Sequence, residues 1–176
     1  MNLSFSFIIP VFNRPNEIEE LLSSMSLLQF DDSFEIVIVE DGSEQDAQAV
    51  VEKYKSILNI SYYYKKNSGP GDSRNYGMQR AKGNYFLILD SDVILPSNYL
   101  AEVAAFLKNN YVHCFGGPDD AHDSFSDLQK AISYSMTSYL TTGGIRGRKN
   151  NLNKFQPRSF NMGLSKEAFL ASNGFG

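Results

Sequence analysis

The sequence has no tryptophan and a single cysteine among 176 residues. With Cys114 alone, no internal disulfide is possible, which points to a reducing, cytoplasmic compartment. Cys114 itself reads as a small buried hydrophobe after a strand. No run of 18 apolar residues occurs, which excludes a membrane-spanning helix on hydropathy. The start, Phe5-Ser6-Phe7-Ile8-Ile9-Pro10, lacks a basic leader, so no signal peptide is expected there. Acids are missing between Asp127 and Glu167. The net charge of −4 argues against general nucleic-acid binding, yet it hides an asymmetry. Residues 1–127 carry 19 acids against 9 Lys and Arg, whereas residues 128–176 carry 7 Lys and Arg against Glu167 alone. Arg146, Arg148, Lys149, Lys154 and Arg158 make that stretch either a solvated basic face or a surface that meets an anion, including an anionic membrane. Neither G-x-G-x-x-G nor G-x-x-x-x-G-K-[ST] is present, which removes both glycine-rich phosphate fingerprints.

What is present is a 42% hydrophobic, 13% aromatic composition suited to one globular domain. Apolar strands are expected at 4–10, 35–39, 60–64, 84–90 and 111–115. Helices are expected between them. The first starts near Pro15 and faces inward with Ile18, Leu21, Leu22, Met25 and Leu28. The second carries Ala47, Val50, Val51, Tyr54, Ile57 and Leu58, and the third spans 70–81. The fourth is capped by Ser97 and buries Leu100, Val103, Ala104 and Leu107. Alternating strands and helices predict a mainly parallel α/β sheet with helices on both faces. After Ser124-Phe125-Ser126-Asp127, a capping-box pattern, Phe125, Leu128, Ile132, Met136 and Tyr139 recur at helical spacing until Gly143-Gly144. That helix packs on the core or lies on a membrane or lipid.

Polar residues gather where strands end. They are Pro10-Val11-Phe12-Asn13-Arg14, Glu40-Asp41-Gly42-Ser43, Asn67-Ser68-Gly69-Pro70-Gly71-Asp72, and Asp90-Ser91-Asp92. A doubly wound sheet brings such loops to one edge, where ligands bind. On an extended strand Asp90 and Asp92 point the same way, with Cα atoms about 6.6 Å apart. Their mutual repulsion is relieved by a hard divalent cation, Mg²⁺ or Mn²⁺, that also holds substrate phosphates. Asp41 is suited to accept from a base N–H or a ribose hydroxyl. Gly69 and Gly71 permit close backbone approach, and the helix N-terminus after them favours an anion. Arg74, one turn on, is placed for a phosphate or a neighbouring carboxylate. The constellation reads as a site for a nucleotide diphosphate and its metal.

The segments Phe7-Ile8-Ile9-Pro10-Val11-Phe12-Asn13, Ile38-Val39-Glu40-Asp41-Gly42-Ser43, Ser73-Arg74-Asn75-Tyr76-Gly77, Leu89-Asp90-Ser91-Asp92 and Asn161-Met162-Gly163-Leu164, with Gly174-Phe175 after them, resemble the successive motifs of the family 2 glycosyltransferases. The resemblance implies a GT-A fold, a nucleotide-sugar donor, a divalent metal, and inversion at the anomeric carbon during transfer to an acceptor hydroxyl. It implies donor contacts from Pro10, Phe12, Asn13, Arg14, Asp41, Gly71, Asp72, Arg74, Asp90, Ser91 and Asp92. Asp90-Ser91-Asp92 matches the DxD motif, with Asp92 closest to metal and diphosphate. The family's acidic motif, which carries the general base, follows the Gly-Phe segment. The sequence stops at Gly176, so the base is expected beyond it, and the chain is expected to be one domain lacking its C-terminal part. Residues 1–115 would then bind donor, and 116–176 would begin the acceptor side.

The expected setting is polysaccharide or glycolipid synthesis, with a sugar or lipid-linked acceptor, at the inner face of a membrane. A donor-binding fragment without activity and a sugar-nucleotide pyrophosphorylase are the alternatives. The latter usually has a glycine-rich, basic loop after its first strand, which Pro10-Val11-Phe12-Asn13-Arg14 is not. The loop from Gly116 to Asp123, with His122, reads as a polar loop beside the sugar rather than a metal cluster, and His113 as structural.

Overall fold

A computed structural model of the chain describes residues 2–116 and 161–175. The expected helix from Ser124 to Gly143, the loop with His122 and the basic residues from Arg146 to Arg158 lie outside the described residues. A six-stranded sheet organises the fold. Its strands are β1 (Phe5–Val11), β2 (Phe34–Asp41), β3 (Ile60–Lys65), β4 (Tyr85–Leu89), β5 (Cys114–Gly116) and β6 (Asn161–Ser165), in spatial order β3-β2-β1-β4-β6-β5. The first four are mutually parallel. β6 runs antiparallel to both β4 and β5.

The helices are α1 (Pro15–Met25), α2 (Gln48–Tyr54), α3 (Pro70–Arg80), α4 (Tyr99–Asn109) and α5 (Lys166–Ser172). Side-chain alternation along the strands splits the core in two. Phe7 and Ile9 of β1, Ile36 and Ile38 of β2, and Leu87 and Leu89 of β4 face the buried sides of α1, α2 and α4. Ile8, Val37, Val39, Phe86 and Ile88 face the other way, against Met78 of α3 and Phe169 of α5. Near-continuous apolar strands are what burial on both faces requires. α3 sits close to the sheet because of Gly77. A Cβ there would lie 2.9 Å from Ile8 Cγ2 and 3.2 Å from Val39 Cγ2.

Several local expectations shift. α2 stops at Tyr54, and Ile57 is exposed rather than on its buried face. α1 ends at Met25, yet Leu28 still packs on the core. The residue before α4 is Asn98, not Ser97, and its side chain makes no capping bond. Cys114 is exposed, because it lies on the outermost strand rather than inside the sheet. His113 precedes β5, with its Nδ1 2.9 Å from Ser165 Oγ. Between β4 and β5 lies β6, which begins 45 residues after β5 ends and which the sequence pattern does not predict as a strand.

Candidate functional site

The chain steps from β1 outward to β2 and β3, then returns across the sheet to β4 on the far side of β1. This reversal opens a crevice at the carboxyl ends of β1 and β4. A cleft of about 420 Å³ lies there. Pro10, Val11, Phe12 and Arg14 line it from β1 and its loop, Asp41 from β2, and Asn67, Gly69 and Pro70 from the approach to α3. Asp90, Ser91 and Asp92 close it from the end of β4. The strand stops at Leu89 and residues 91–92 turn. All three residues therefore face one cleft instead of alternating across an extended strand.

Asp41 is the most constrained group. It sits opposite Lys65 in the parallel β2–β3 register, and Lys65 Nζ donates to its Oδ1 at 2.5 Å. The backbone N–H of Ser68 donates to Oδ1 at 3.0 Å and that of Gly69 to Oδ2 at 2.9 Å. Asp41 is only 4% exposed. Burial pushes its carboxyl up, but the Lys65 hydrogen bond and charge and the Ser68 and Gly69 N–H groups outweigh that and hold it below its ordinary 3.8. Asp41 thereby shapes the β3–α3 loop. Gly69, at φ +94°, meets no atom within 4 Å of an ideal Cβ, so its bare backbone faces open space. Lys65 also lies 3.3 Å from Asp72 Oδ2. The Ser68 hydroxyl and Lys65 lower the Asp72 carboxyl as well.

The two carboxylates after β4 each hold an arginine. Arg74 Nη2 donates to Asp90 Oδ1 at 2.9 Å, and Arg14 Nη1 donates to Asp92 Oδ2 at 3.3 Å. The first pair is well buried on its Arg74 side, at 10% side-chain exposure; the second is open to water at 49% and 59%. Arg74 thus meets the carboxylate expectation. Its Nε, buried, has no acceptor among the described residues. Leaving such a donor unpaired costs about 1–3 kcal/mol.

Asn13 plays a different part from its neighbours. It has φ +55° and is not among the residues that line the cleft. Its Oδ1 accepts from the N–H groups of Glu44 (2.8 Å) and Gln45 (3.1 Å), and its own N–H donates to Ser43 Oγ at 2.7 Å. Ser43 in turn bonds Glu40, whose fully buried carboxylate also accepts from Ala47 N–H and the Tyr62 hydroxyl, each at 2.9 Å. This network ties the loop bearing Phe12 and Arg14 to the end of β2. Gly71, Asp72 and Arg74 occupy the first turns of α3 behind the cleft and do not line it.

A hard divalent cation fits this donor set. Asp90 and Asp92 each bond an arginine through one oxygen, and both residues line the cleft. No group of three or more His, Cys, Asp or Glu able to hold a metal occurs among the described residues. Mg²⁺-type sites need only one or two carboxylates when phosphates and water complete the shell.

Val11, Asn67 and Pro70 line the cleft within the strand-end segments named from the sequence, whereas Lys65 lies outside those segments. The signal for Lys65 was its place at the end of the strand beside Asp41. The Gly174-Phe175 motif has a partner that the sequence does not reveal. Asn75 Nδ2 donates to Phe175 O at 2.7 Å, and Phe175 N–H donates to Asn75 Oδ1 at 2.8 Å, joining the two motif segments directly.

A sequence model described as "Glycosyl transferase family 2" matches residues 6–170. An uncharacterized glycosyltransferase of Rickettsia bellii is 36% identical over 143 residues, covering 80% of this chain and 20% of the relative. Poly(ribitol-phosphate) beta-N-acetylglucosaminyltransferase TarS of Staphylococcus aureus is 35% identical over 112 residues, 62% of this chain and 20% of that protein. The chain therefore spans about a fifth of the length of these curated relatives. Among solved structures, S. aureus TarS 1-349 in complex with UDP-GlcNAc aligns with a TM-score of 0.64 at 31% identity, covering 70% of this chain and 36% of that one. The mannosyltransferase PcManGT of Pyrobaculum calidifontis, in complex with GDP-Man and Mn²⁺, aligns over 100% of this chain and 48% of its own with a TM-score of 0.73. At 17% identity that likeness shows the shared GT-A fold alone.

Proposed function

The chain belongs to glycosyl transferase family 2, and we propose that it transfers a sugar from a nucleotide-diphospho-sugar to an acceptor hydroxyl with inversion at the anomeric carbon. The observation that carries this reading is the convergence of Asp41, Asp90, Asp92 and Arg14 on one cleft at the sheet's switch point. Asp41 serves the base or ribose. The backbone at Gly69 and Pro70, where α3 begins, faces the diphosphate, and Asp90 and Asp92 would hold a divalent cation against it. When bound, that cation acts as a Lewis acid that offsets charge on the departing diphosphate. Arg74 orients Asp90, while Arg14, which lines the cleft, pairs with Asp92 in competition with the cation and supplies positive charge at the phosphate end. We assign no general base among the described residues.

We take residues 1–115 as the donor half and 116–176 as the start of the acceptor half of one domain. The UDP-GlcNAc bound by TarS and the GDP-Man bound by PcManGT define the donor class to be screened. TarS, by its name, acts on poly(ribitol-phosphate), and the basic run from Arg146 to Arg158 suits a phosphate-bearing or lipid-linked acceptor in polysaccharide or glycolipid synthesis. Peripheral contact at a membrane's inner face is part of the same proposal; no helix among the described residues is long and apolar enough to cross a membrane.

Thermal unfolding with UDP-, GDP- and other nucleotide-sugars, each with and without Mn²⁺, tests the donor reading. A ligand that binds only the folded state adds about 2.7 kcal/mol at a hundred times its Kd. Failure of every nucleotide-sugar to raise the midpoint refutes it. Transfer measured on the same sample separates an active transferase from a donor-binding fragment. Pyrophosphate-dependent formation of nucleoside triphosphate from a nucleotide-sugar would mark the pyrophosphorylase instead.

A further inference from the structure

Arg74 is 8% exposed, yet it holds Asp90 by one hydrogen bond, from Nη2 at 2.9 Å. Its Nε–H has no acceptor among the described residues. A guanidinium held at a single point is free to pivot, so packing must set its plane. Phe175 packs near it, with its ring centroid 5.7 Å from Arg74 Cζ, within cation–π range.

Phe175 is itself fixed. Asn75 grips its backbone on both sides, at 2.8 Å and 2.7 Å, in the manner of a two-bond strand pair. The preceding turn is shaped for this grip. Asn173 and Gly174 both have positive φ, +60° and +83°, and a Cβ on Gly174 would come within 2.3 Å of Asn75 Oδ1. Phe175 Cβ also lies 3.6 Å from where a Gly71 Cβ would sit, so the residue abuts the first turn of α3. A ring placed only to fill the core would not need its backbone clamped to the residue that follows the arginine.

We propose that Phe175 is a positioning residue of the donor site: clamped by Asn75, its ring orients the Arg74 guanidinium and so sets the Asp90 carboxylate for the metal. The proposal deepens the donor-site reading and rests on Asp90 being a metal ligand. It assigns the Gly174-Phe175 turn to donor binding, although that turn lies 84 residues along the chain from Ser91.

Two readouts on the whole chain test it. The first needs no ligand. Exchange of the Arg74 Nε–H with water, followed by ¹⁵N NMR, is slow in the parent, faster by about tenfold in Phe175→Ala, and slow again in Phe175→Tyr. The second is titration of UDP and GDP with and without Mn²⁺. Phe175→Ala loses about tenfold of the Mn²⁺ enhancement and keeps metal-free affinity within about twofold, while Phe175→Tyr keeps both. An unchanged Nε–H, or an unchanged Mn²⁺ enhancement, in Phe175→Ala overturns the positioning role. Equal loss of metal-free and metal-dependent binding also overturns it, since that outcome marks a general packing defect. A parent that binds neither UDP nor GDP refutes the donor-site reading itself, while the exchange measurement still decides whether Phe175 holds Arg74.

Discussion

Replacing Asp41 by asparagine removes a charge from a carboxylate whose donors are all accounted for among the described residues. Oδ1 accepts from Lys65 and Ser68, and Oδ2 from Gly69. If the new amide oxygen takes the place of Oδ1, the NH₂ group confronts the Gly69 N–H, and two donors face each other. Lys65 is not orphaned, since Asp72, the Lys66 carbonyl and the Ser68 hydroxyl remain. One buried hydrogen bond is lost and one ion pair weakened, so Asp41→Asn should destabilise the fold by about 1–3 kcal/mol. At about 2–4 °C per kcal/mol for a chain of this size, the midpoint falls by about 2–12 °C. On the proposed reading the lost acceptor also serves the nucleoside, so UDP or GDP affinity without metal should fall about ten- to hundredfold. The pH dependence has a definite sign. Because the folded carboxyl titrates below its ordinary 3.8, its contribution is fully present above 3.8 and disappears as pH falls through the lower folded value. The stability gap between parent and variant, read by urea unfolding, should close in that acid range. An unchanged midpoint together with unchanged nucleotide affinity would refute both the loop-ordering and the ligand role of Asp41.

Other substitutions separate packing from charge. Gly77→Ala places a methyl 2.9 Å from Ile8 Cγ2; overpacking of about 1–3 kcal/mol outweighs a helix-propensity gain of at most about 1 kcal/mol, so the urea midpoint falls. An equal or higher midpoint would mean that α3 is not seated this closely. Arg14→Gln breaks an exposed pair with Asp92 and leaves the thermal midpoint within a few degrees. It should bind Mn²⁺ alone more tightly and UDP or GDP in the presence of Mn²⁺ more weakly. Movement of both affinities in the same direction would contradict the idea that Arg14 and the metal compete for Asp92.

Four parallel strands and four helices were legible in the sequence because each is long enough to show its period. The apolar runs at Phe5–Val11, Phe34–Asp41 and Tyr85–Leu89 are buried on both faces, and the helical stripe Ile18, Leu21, Leu22, Met25 is intact. β6 was not legible as a strand. Asn161-Met162-Gly163-Leu164-Ser165 has no β-branched or aromatic residue, and its place is decided by antiparallel pairing with β4 and β5. Gly163 is needed there because Phe115 covers it, and a Cβ would lie 2.1 Å from the ring. At the site, the gathering of strand-end loops followed from topology alone. What each side chain does there did not. Asn13 looks like a ligand residue in sequence and spends its amide oxygen on two backbone N–H groups, whereas Lys65 looks like a strand-end surface lysine and is the cation of Asp41. Such pairings depend on cross-strand register, which no local pattern encodes.

The central claim is that Asp90 and Asp92 bind a divalent cation which holds the donor's diphosphate. Titration calorimetry of UDP and GDP, with and without Mn²⁺, on the parent and on Asp92→Asn tests it most directly. Asparagine keeps the shape and removes the charge at a position 59% exposed, so the fold should be undisturbed. The account predicts that Mn²⁺ strengthens nucleotide binding by the parent and that Asp92→Asn abolishes the strengthening while metal-free binding survives. The same Mn²⁺ enhancement in both proteins would contradict it.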